Sequence, residues 1–293
     1  MIKEVIIPEN YKYISAFLTM RCNLGCSFCL NKFSDKFYEK EFKELSGKNW
    51  VDSLNKLKSK PDIPITFSGG EPFLHKDFIY ILNNIKSELN IDILTNLQWG
   101  NKGIERFISE VNPERIKRDS PYSSMRVSYH PEQMDAENLI NSVKKMKDAG
   151  FSIGIWAVLY PSPQQLSAIN QMQFRCKDAG IEFRLKEFTG EYKGELYGDY
   201  SKYLNSAFQE KTTDCLCKTS ELLIGPSGDV YRCHRDVFSE ENAIDNITDP
   251  NFEIKEVFRK CNNYGQCHPC DVKSKTNYKQ EIGHTSVEIK EIK

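Results

Sequence analysis

The sequence predicts an α/β fold with parallel strands, and three observations support that prediction. Short apolar runs alternate with stretches of helical periodicity six times along the chain. Repeated β-then-α units imply parallel strands joined by helical crossovers. The ten cysteines fall as three near the start, a lone Cys176, and six between Cys215 and Cys270. Because 293 residues can form one large domain and a small one, we expect the second cysteine group to mark a small C-terminal domain.

The predicted elements follow one another in a regular order. Strands are expected where short apolar runs are bounded by polar or turn-forming residues, over 14–20, 63–67, 91–94, 125–129, 153–160 and 181–188. Helices are expected where apolar side chains recur at helical spacing, over 42–59, 78–85, 103–109, 139–150 and 164–178. Six units are fewer than the eight of a closed barrel. By periodicity alone, an open doubly wound sheet is the alternative.

Three cysteines follow the first predicted strand in a polar loop that contains glycine. Cys22, Cys26 and Cys29 are separated by three and then two residues. Thiolates at this spacing can converge on one inorganic core, and three of them leave one iron of a cubane cluster open for chemistry. A structural zinc loop with its fourth ligand elsewhere, or simply buried thiols, is the alternative. Zinc sites usually use paired cysteine arms, which this triplet fits poorly.

The run Cys-x3-Cys-x-Phe-Cys resembles the hallmark of the radical S-adenosylmethionine (SAM) superfamily, with Phe28 at the aromatic position. The resemblance implies a partial (β/α)6 TIM-like barrel over residues 1–200. It also implies a [4Fe-4S] cluster on Cys22, Cys26 and Cys29, whose fourth iron is chelated by the amino and carboxylate groups of SAM. An electron from that cluster would cleave SAM to methionine and a 5'-deoxyadenosyl radical.

A glycine pair follows the second predicted strand, in Ser-Gly-Gly-Glu-Pro. Two glycines let the backbone approach a ligand closely or adopt positive φ angles, although a lone motif of this kind can be an ordinary turn. Its place after strand two matches the Gly-Gly-Glu-Pro segment of the radical SAM superfamily. The resemblance implies that Gly69, Gly70 and Glu71 contact the SAM amino group.

Polar residues also end the third and fourth predicted strands. Thr95-Asn96 resembles a pair common in the superfamily, and Ser128 and His130 lie where its members reach the SAM carboxylate or ribose. The resemblance thus implies Asn96 and Ser128 as further SAM contacts. Each could equally be a turn residue that satisfies local backbone groups, and His130 could face the substrate or cap a strand.

The segment after the sixth strand, residues 188–200, is rich in Gly, Tyr and acidic residues and should lie at the mouth of the barrel. Its tyrosines and nearby charges could line a polar substrate pocket: Tyr192, Tyr197, Tyr200, Lys186, Glu187 and Glu191. A solvated linker is the alternative. Cys176 falls within a helical pattern and is expected to be a packed thiol.

The last cysteines predict a second metal site within residues 201–293. Ser227 and Gly228 between apolar runs predict a β-hairpin, and four thiolates from a hairpin and a Cys-x2-Cys loop suit zinc or a cubane. The spacing of Gly228 and Cys233 resembles the hairpin of SPASM and twitch domains, which implies one auxiliary [4Fe-4S] cluster. The ligands so implied are Cys217, Cys233, Cys267 and Cys270, with Cys215 and Cys261 left over as replacements.

Composition limits the partners and the location. A net charge of -1 with 28% charged residues gives no polyanion-binding surface, so no nucleic acid is expected. No run of about 18 apolar residues could span a bilayer, and no signal peptide is recognisable. We therefore expect a cytoplasmic protein without a membrane partner, in which clustered cysteines bind metal rather than form disulfides.

The resemblance implies a radical SAM oxidoreductase that oxidises a small polar substrate, sugar-like or cyclitol, and passes an electron to the auxiliary cluster. The first strand starts near Tyr11 and leaves no room for a preceding peptide-recognition domain, which favours a small molecule over a peptide. An electron donor such as flavodoxin or ferredoxin is implied. One alternative is an epimerase or peptide-modifying enzyme, in which Cys215 or Cys261 returns a hydrogen atom. Another is a non-catalytic iron–sulfur or SAM-binding accessory protein, which the intact motifs argue against.

Overall fold

The structure is a computed structural model that describes residues 3–29, 43–198, 205–267 and 287–292. Its helices are α1 (Gly47–Leu54), α2 (Phe78–Asn84), α3 (Gly100–Glu110), α4 (Ala136–Asp148), α5 (Pro163–Asp178) and α6 (His234–Ser239). Its strands are β1 (Val5–Ile6), β2 (Tyr13–Thr19), β3 (Leu57–Lys58), β4 (Ile65–Gly69), β5 (Ile91–Thr95), β6 (Met125–Tyr129), β7 (Ile153–Val158), β8 (Glu182–Lys186), β9 (Gly190–Tyr192), β10 (Glu195–Tyr197), β11 (Thr213–Thr219), β12 (Glu221–Ile224), β13 (Asp229–Tyr231), β14 (Asp245–Asn246), β15 (Arg259–Tyr264) and β16 (Val287–Glu291). Within the described residues no helix has the length and apolar character needed to cross a bilayer.

One large sheet organises the described residues, with strand order β14-β13-β12-β2-β4-β5-β6-β7-β8. The strands from β2 to β8 in this order lie side by side and run parallel. Helices lie between successive strands along the chain, so the predicted α/β arrangement of parallel strands is confirmed. Because parallel strands end at the same edge, the loops that follow β2, β4, β5, β6 and β7 meet at that edge.

The two faces of this sheet differ in chemistry. One face packs into the apolar core that the helices cover, and its residues include Phe67, Ile93 and Val127. Alternate positions on the same strands are buried but polar, namely Thr66, Asp92 and Arg126. Side chains of a strand alternate between its faces, so the face away from the helices is lined by polar groups. The sheet keeps two edges among the described residues, β14 and β8, and its curvature into a partial barrel stays a prediction.

Side-chain caps fix where several helices begin. Ser46, Asp135 and Ser162 each accept a hydrogen bond from the backbone N–H three residues on, at the starts of α1, α4 and α5. The predicted helix over 42–59 is too long, because α1 ends at Leu54. Leu57 lies instead in β3, where it is fully buried and pairs with β1. Cys176 on α5 is fully buried in the core, as predicted.

The C-terminal region is shared between two sheets. The hairpin predicted around Gly228 is present as β12 and β13. Its first strand lies parallel to β2, with Glu221 beside Tyr13, so the hairpin extends the large sheet. Strands β15, β11 and β16 form a separate antiparallel sheet. The division of the chain into domains of residues 1–200 and 201–293 stays a prediction.

Candidate active site

The candidate site is built on the loop that follows β2 at the carboxyl edge of the large sheet. Cys22, Cys26 and Cys29 on this loop influence one another electrostatically. Burial raises the pKa of the Cys26 thiol to about 12, and the neighbouring Cys29 thiol and Glu132 carboxylate act in the same direction. Burial also raises the pKa of Cys22. The three predicted thiols therefore lie together, and ligation of a metal by them would release protons.

Gly69 and Gly70 pack directly on the backbone that enters the cysteine loop. A Cβ atom on Gly69 would lie 2.0 Å from the Thr19 carbonyl oxygen. A Cβ atom on Gly70 would lie 2.1 Å from the Arg21 carbonyl oxygen. The Gly70 N–H donates to the Thr19 carbonyl at 2.8 Å. Only glycine allows this approach, which places the second predicted motif against the first.

The carboxylate of Glu71 is buried and surrounded by donors. Its Oε1 accepts hydrogen bonds from the Thr95 hydroxyl at 2.9 Å, the Trp99 indole at 3.0 Å and the Phe73 N–H at 3.2 Å. Its Oε2 accepts from the Asn96 N–H at 2.7 Å. Burial raises the pKa of Glu71, and these donors oppose that rise. The carboxylate thus ties the end of β4 to the end of β5, and its contact with SAM stays a prediction.

Asn96 connects the end of β5 to the cysteine loop. Its Nδ2 lies 3.7 Å from Cys22 Sγ and donates to Asn23 Oδ1 at 2.7 Å. The Asn23 side chain in turn donates to the Gln98 carbonyl at 2.7 Å. The predicted cofactor residue Asn96 therefore lies against the first cysteine, although its role toward SAM remains to be tested.

An ion pair that the sequence analysis missed anchors the start of the cysteine loop. Arg21 Nε and Nη2 donate to the two carboxylate oxygens of Glu44, each at 3.0 Å. The same carboxylate accepts from the Thr19 hydroxyl, and Arg21 also donates to the Leu74 carbonyl at 3.0 Å. Bidentate pairing fixes the guanidinium geometry. No motif marks Glu44, because its partners come from other elements.

The loop after β6 holds the opposite side of the cysteine loop. Gln133 Oε1 accepts from the Gly25 N–H, and Glu132 Oε1 accepts from the Ser27 N–H, both at 2.7 Å. The sequence analysis missed both acceptors, and their only signal is their place just after a parallel strand. The predicted Ser128 lies on β6 beside this loop, and its contact with SAM stays a prediction.

Aromatic rings extend from the cysteine loop across the edge of the sheet. Phe28 stacks on Tyr160 with centroids 4.8 Å apart, and its centroid lies 5.5 Å from that of His130. Tyr160 meets Phe188 and Tyr192 edge-on, each at 5.0 Å. Phe28, the aromatic residue of the cysteine motif, therefore packs into a group of aromatic rings that lies beside the predicted mouth of the barrel. Tyr160 was missed as a site residue, although it lies two residues after the end of β7.

The segment predicted to be a pocket wall or a linker forms the hairpin β9–β10. Tyr192 and Glu191 lie on β9, and Tyr197 lies on β10 with its ring 6.0 Å from Phe188. Lys186 ends β8 and Glu187 follows it, whereas Tyr200 lies outside the described residues. The part of these residues in binding a substrate stays a prediction.

Comparison with known protein families shows which family the chain belongs to. A model of the radical SAM superfamily matches residues 17–166, just over half of the chain. The chain belongs to the radical SAM superfamily. This radical SAM enzyme is expected to work with SAM and a [4Fe-4S] cluster, which supply the radical when bound. The donor set of Cys22, Cys26 and Cys29 fits that cluster, because three thiolates leave one iron for SAM.

Two curated relatives share part of this radical SAM enzyme. It is 28% identical over 197 residues to a probable GTP 3',8-cyclase of Methanocaldococcus jannaschii, covering 62% of this chain and 60% of that protein. It is 24% identical over 181 residues to the sporulation killing factor maturation protein SkfB of Bacillus subtilis, covering 59% of this chain and 42% of that protein. The alignments thus span less than two thirds of either relative.

A second group of thiols lies in the C-terminal part of the radical SAM enzyme. Cys215 and Cys261 are register partners on β11 and β15, and Cys217 is two residues further along β11. Cys233 precedes α6 and packs against these three. Cys267 interacts electrostatically with Cys215 and Cys217. We call these five residues the C-terminal thiol group.

The predicted auxiliary ligands only partly match this group. Cys217, Cys233 and Cys267 belong to it, whereas Cys270 lies outside the described residues. The two residues that the prediction left over, Cys215 and Cys261, are inside the group and buried. Across the described residues, no three or more His, Cys, Asp and Glu side chains are arranged to hold a metal ion, and this applies to Cys22, Cys26 and Cys29 as well as to the C-terminal thiol group. An auxiliary cluster therefore stays a prediction.

Proposed function

We propose that this radical SAM enzyme is an oxidoreductase that acts on a small polar, sugar-like or cyclitol substrate. The substrate C–H bond gives a hydrogen atom to the 5'-deoxyadenosyl radical, which becomes 5'-deoxyadenosine. The substrate radical then loses one proton and one electron and ends as a carbonyl. An external donor such as flavodoxin or ferredoxin would supply the electron needed for SAM cleavage, and cysteines of the C-terminal thiol group would hold an auxiliary [4Fe-4S] cluster that could accept the electron from the substrate radical.

The observation that carries this proposal is the C-terminal thiol group. Five cysteines that are spread over 53 positions of sequence, from Cys215 to Cys267, are neighbours in the fold. Burial raises the pKa of Cys215 to about 12 and that of Cys267 to about 11, which makes thiolates there unfavourable unless a metal binds them. A cluster with four cysteine ligands has no open iron, so it suits electron transfer better than substrate binding.

The ligands of that cluster are drawn from the C-terminal thiol group and Cys270. Cys215 and Cys261 are as good candidates for cluster ligands as the cysteines predicted from the motif, because they lie directly opposite each other within the group. Their burial among other thiols also makes them poor candidates for returning hydrogen to a substrate radical. Each cysteine is replaced singly by Ser, and the four variants that lose auxiliary iron identify the ligands.

The polar face of the large sheet supports a polar substrate. Ser15 and Ser68 lie on that face within 2.7 Å of each other, on neighbouring strands β2 and β4. Both side chains are buried and hydrogen-bond each other, and Ser15 also donates to the Thr66 carbonyl, so they make this face polar without offering a free hydroxyl group. The aromatic rings of Phe28, on the cysteine loop, and Tyr160, stacked on it, would help to exclude water from a radical.

A second candidate function is modification of a peptide. It is favoured by the similarity to SkfB, which is named as a maturation protein, and by the aromatic group around Tyr160. In this reading no net oxidation of a small molecule occurs. The substrate test below separates the two functions.

The first experiment measures iron and sulfide in anaerobically reconstituted protein, with Mössbauer spectra, for wild type and the Cys22→Ala/Cys26→Ala/Cys29→Ala variant. We expect about eight irons per chain in wild type and about four in the variant, since each cubane holds four. Four irons that fall to none, with zinc in the C-terminal thiol group, would remove the electron acceptor and refute the proposed oxidation.

The second experiment assays 5'-deoxyadenosine with SAM, a strong reductant and a panel of cyclitols, sugars and peptides. We expect only cyclitols or sugars to raise its formation, with a product lighter than the substrate by two hydrogens. Stimulation by peptides alone would select the second function. A product of unchanged mass that takes up one deuterium in heavy water would instead select epimerisation.

A further inference from the structure

Arg232 is a buried cation that lies among the C-terminal thiols. It follows β13 and directly precedes Cys233, and its side chain is only 5% exposed. Its Nη2 donates to Asp236 Oδ2 at 2.7 Å, and its Nη1 donates to the Lys260 carbonyl at 2.9 Å. Because Lys260 is the neighbour of Cys261 on β15, these bonds hold the guanidinium against the cysteine-bearing strand.

The guanidinium of Arg232 interacts with several thiols at once. It interacts electrostatically with Cys217, Cys233 and Cys261. Its positive charge also counteracts the burial that raises the pKa of Cys267. These thiols come from β11, the residue before α6, β15 and the segment after β15, and Arg232 also acts on Cys215, so the cation is shared by the whole C-terminal thiol group rather than paired with one member.

Two buried donors near this group have no hydrogen-bond partner among the described residues: Arg232 Nε and Arg235 Nη1. Leaving a buried donor unsatisfied costs about 1–3 kcal/mol. The positive charge of Arg235 also acts on Cys267. Asp236 is the opposing charge and is fully buried. Within the described part of the chain, the two arginines and the one carboxylate leave an excess of positive charge and unsatisfied N–H groups beside the thiols, which suits an anionic sulfur-rich ligand.

We propose that Arg232 is a positioning residue that raises the reduction potential of the auxiliary cluster. This inference rests on the proposed function, since it requires a cluster on the C-terminal thiol group. A cubane with four thiolates is an anion, and one-electron reduction adds a further negative charge to it. A fixed cation in a buried site stabilises the reduced form more than the oxidised form. Net charge and hydrogen bonds to the sulfurs are known determinants of cluster potentials.

The type of side chain and its anchoring support this role. A guanidinium keeps its charge at any pH at which the protein is folded, so it can act as a constant electrostatic element. Its two anchors, Asp236 and the Lys260 carbonyl, fix its orientation through Nη1 and Nη2 and leave Nε for another acceptor. A raised potential would let the cluster accept an electron from a substrate radical.

The test is an EPR-monitored redox titration of the full chain in the Cys22→Ala/Cys26→Ala/Cys29→Ala background, so that only auxiliary iron is observed. We expect Arg232→Gln to lower the equilibrium constant for one-electron reduction at least tenfold, which is about 59 mV. Asp236→Asn removes the opposing charge and should shift the potential upward. Arg232→Lys keeps the charge and should lie closer to wild type than Arg232→Gln does.

Lys260→Gln is the matched control. It removes a cation one residue from Cys261, but its side chain is 71% exposed and pairs with Asp214 at the surface. We expect its effect on the potential to be small. Iron content is measured for every variant, so that a shift in potential is compared only between loaded proteins.

The outcomes separate this inference from the proposed function. If the background variant binds no cluster, the proposed auxiliary cluster fails and the inference fails with it. If the cluster is present and Arg232→Gln titrates like Lys260→Gln, only the inference is overturned. The inference is also overturned if Arg232→Gln and Asp236→Asn shift the potential in the same direction. If Arg232→Gln cannot be loaded, the opposite-signed shift expected for Asp236→Asn decides.

Discussion

Glu71 is the residue on which two strand ends of the candidate site converge. Its carboxylate receives donors from the segments after β4 and β5, and one of those donors is the backbone N–H of Asn96. Asn96 in turn lies against Cys22. Glu71 therefore supports the cysteine loop through Asn96, independently of any contact that it makes with SAM.

Replacing Glu71 with Gln should lower the free energy of unfolding by about 1–3 kcal/mol, because an amide N–H₂ would face the N–H and O–H donors that the carboxylate accepts. Urea denaturation followed by circular dichroism measures this change. Glu110→Gln is the control, since Glu110 forms an exposed pair with Arg106 and should change stability by less than about 1 kcal/mol. Equal effects of the two substitutions would contradict the structural role of Glu71.

The burial of His130 predicts how the stability of the protein depends on pH. Burial lowers the pKa of His130 to about 4, and its Nδ1 is buried without a hydrogen-bond partner among the described residues. Between pH 4 and about 6.5 the unfolded chain binds a proton here that the folded chain does not, so stability is complete above this range and is lost as pH falls through it. Denaturation at pH 7.5 and pH 5 should show a smaller loss for His130→Gln than for wild type. The same loss in both proteins would place the pKa of His130 near its ordinary value.

At the scale of elements, the ends of β2 and β4 form the base of the cysteine loop. The Gly70 N–H donates a hydrogen bond to the Thr19 carbonyl, and this bond holds Gly70 between the two strand ends. A Cβ atom there would lie 2.1 Å from the Arg21 carbonyl oxygen and 2.5 Å from that of Met20. Backbone carbonyls at a strand end cannot move aside as a flexible side chain can.

Gly70→Ala should therefore displace the cysteine loop and reduce iron binding at Cys22, Cys26 and Cys29. Gly100→Ala is a matched control, because Gly100 has a φ of +68° but no atom within 4 Å of a Cβ. It should cost about 1–2 kcal/mol for backbone strain and leave iron content unchanged. Iron per chain after anaerobic reconstitution distinguishes the two. Full iron loading of Gly70→Ala would show that the loop tolerates a different approach.

The sequence predicted the main elements well where local patterns carried the signal. The apolar runs became β2, β4, β5, β6, β7 and β8, and the Gly150 signal correctly ended α4. The prediction over 42–59 failed because the burial of Leu57 arises from its pairing with β1 rather than from a helix. Likewise, periodicity could not reveal that β12 would lie beside β2, since a hydrogen-bonded partner leaves no mark on local composition.

At the scale of the whole molecule, a buried charge network lies on the polar face of the large sheet. The Asp92 carboxylate accepts hydrogen bonds from Arg118 Nε at 2.8 Å and Arg118 Nη2 at 3.0 Å. It also forms an ion pair with Arg126 at 3.3 Å. The Tyr122 hydroxyl donates to the same carboxylate at 3.1 Å, and the ring lies under both guanidinium groups. This network joins β5, β6 and the segment between them on the side that the helices do not cover.

Asp92→Asn should lower the free energy of unfolding by about 3–5 kcal/mol, because it leaves two buried guanidinium groups without their carboxylate. The control is Asp52→Asn, which breaks the exposed pair of Lys48 and Asp52 on α1 and should change stability by less than about 1 kcal/mol. Guanidinium chloride denaturation compares the two. A small effect of Asp92→Asn would show that water enters and solvates the network.

The sequence by itself determined the chemistry of the first site. Cys22, Cys26 and Cys29 lie on one short loop, and the glycine pair is contiguous, so spacing along the chain is enough to predict a cluster and a SAM site for these groups. The order of strands and helices was also set locally, because alternating apolar runs and helical stripes need only neighbouring residues to be recognised.

Only the tertiary structure decided which distant residues meet. The pairing of Cys215 with Cys261 follows from the register of β11 and β15, and the contact of Arg21 with Glu44 from the packing of separate segments. The placement of Arg232 among the thiols follows from its bond to the β15 backbone. Such contacts depend on strand register and side-chain geometry across the fold, and neither is encoded in the spacing of residues along the chain.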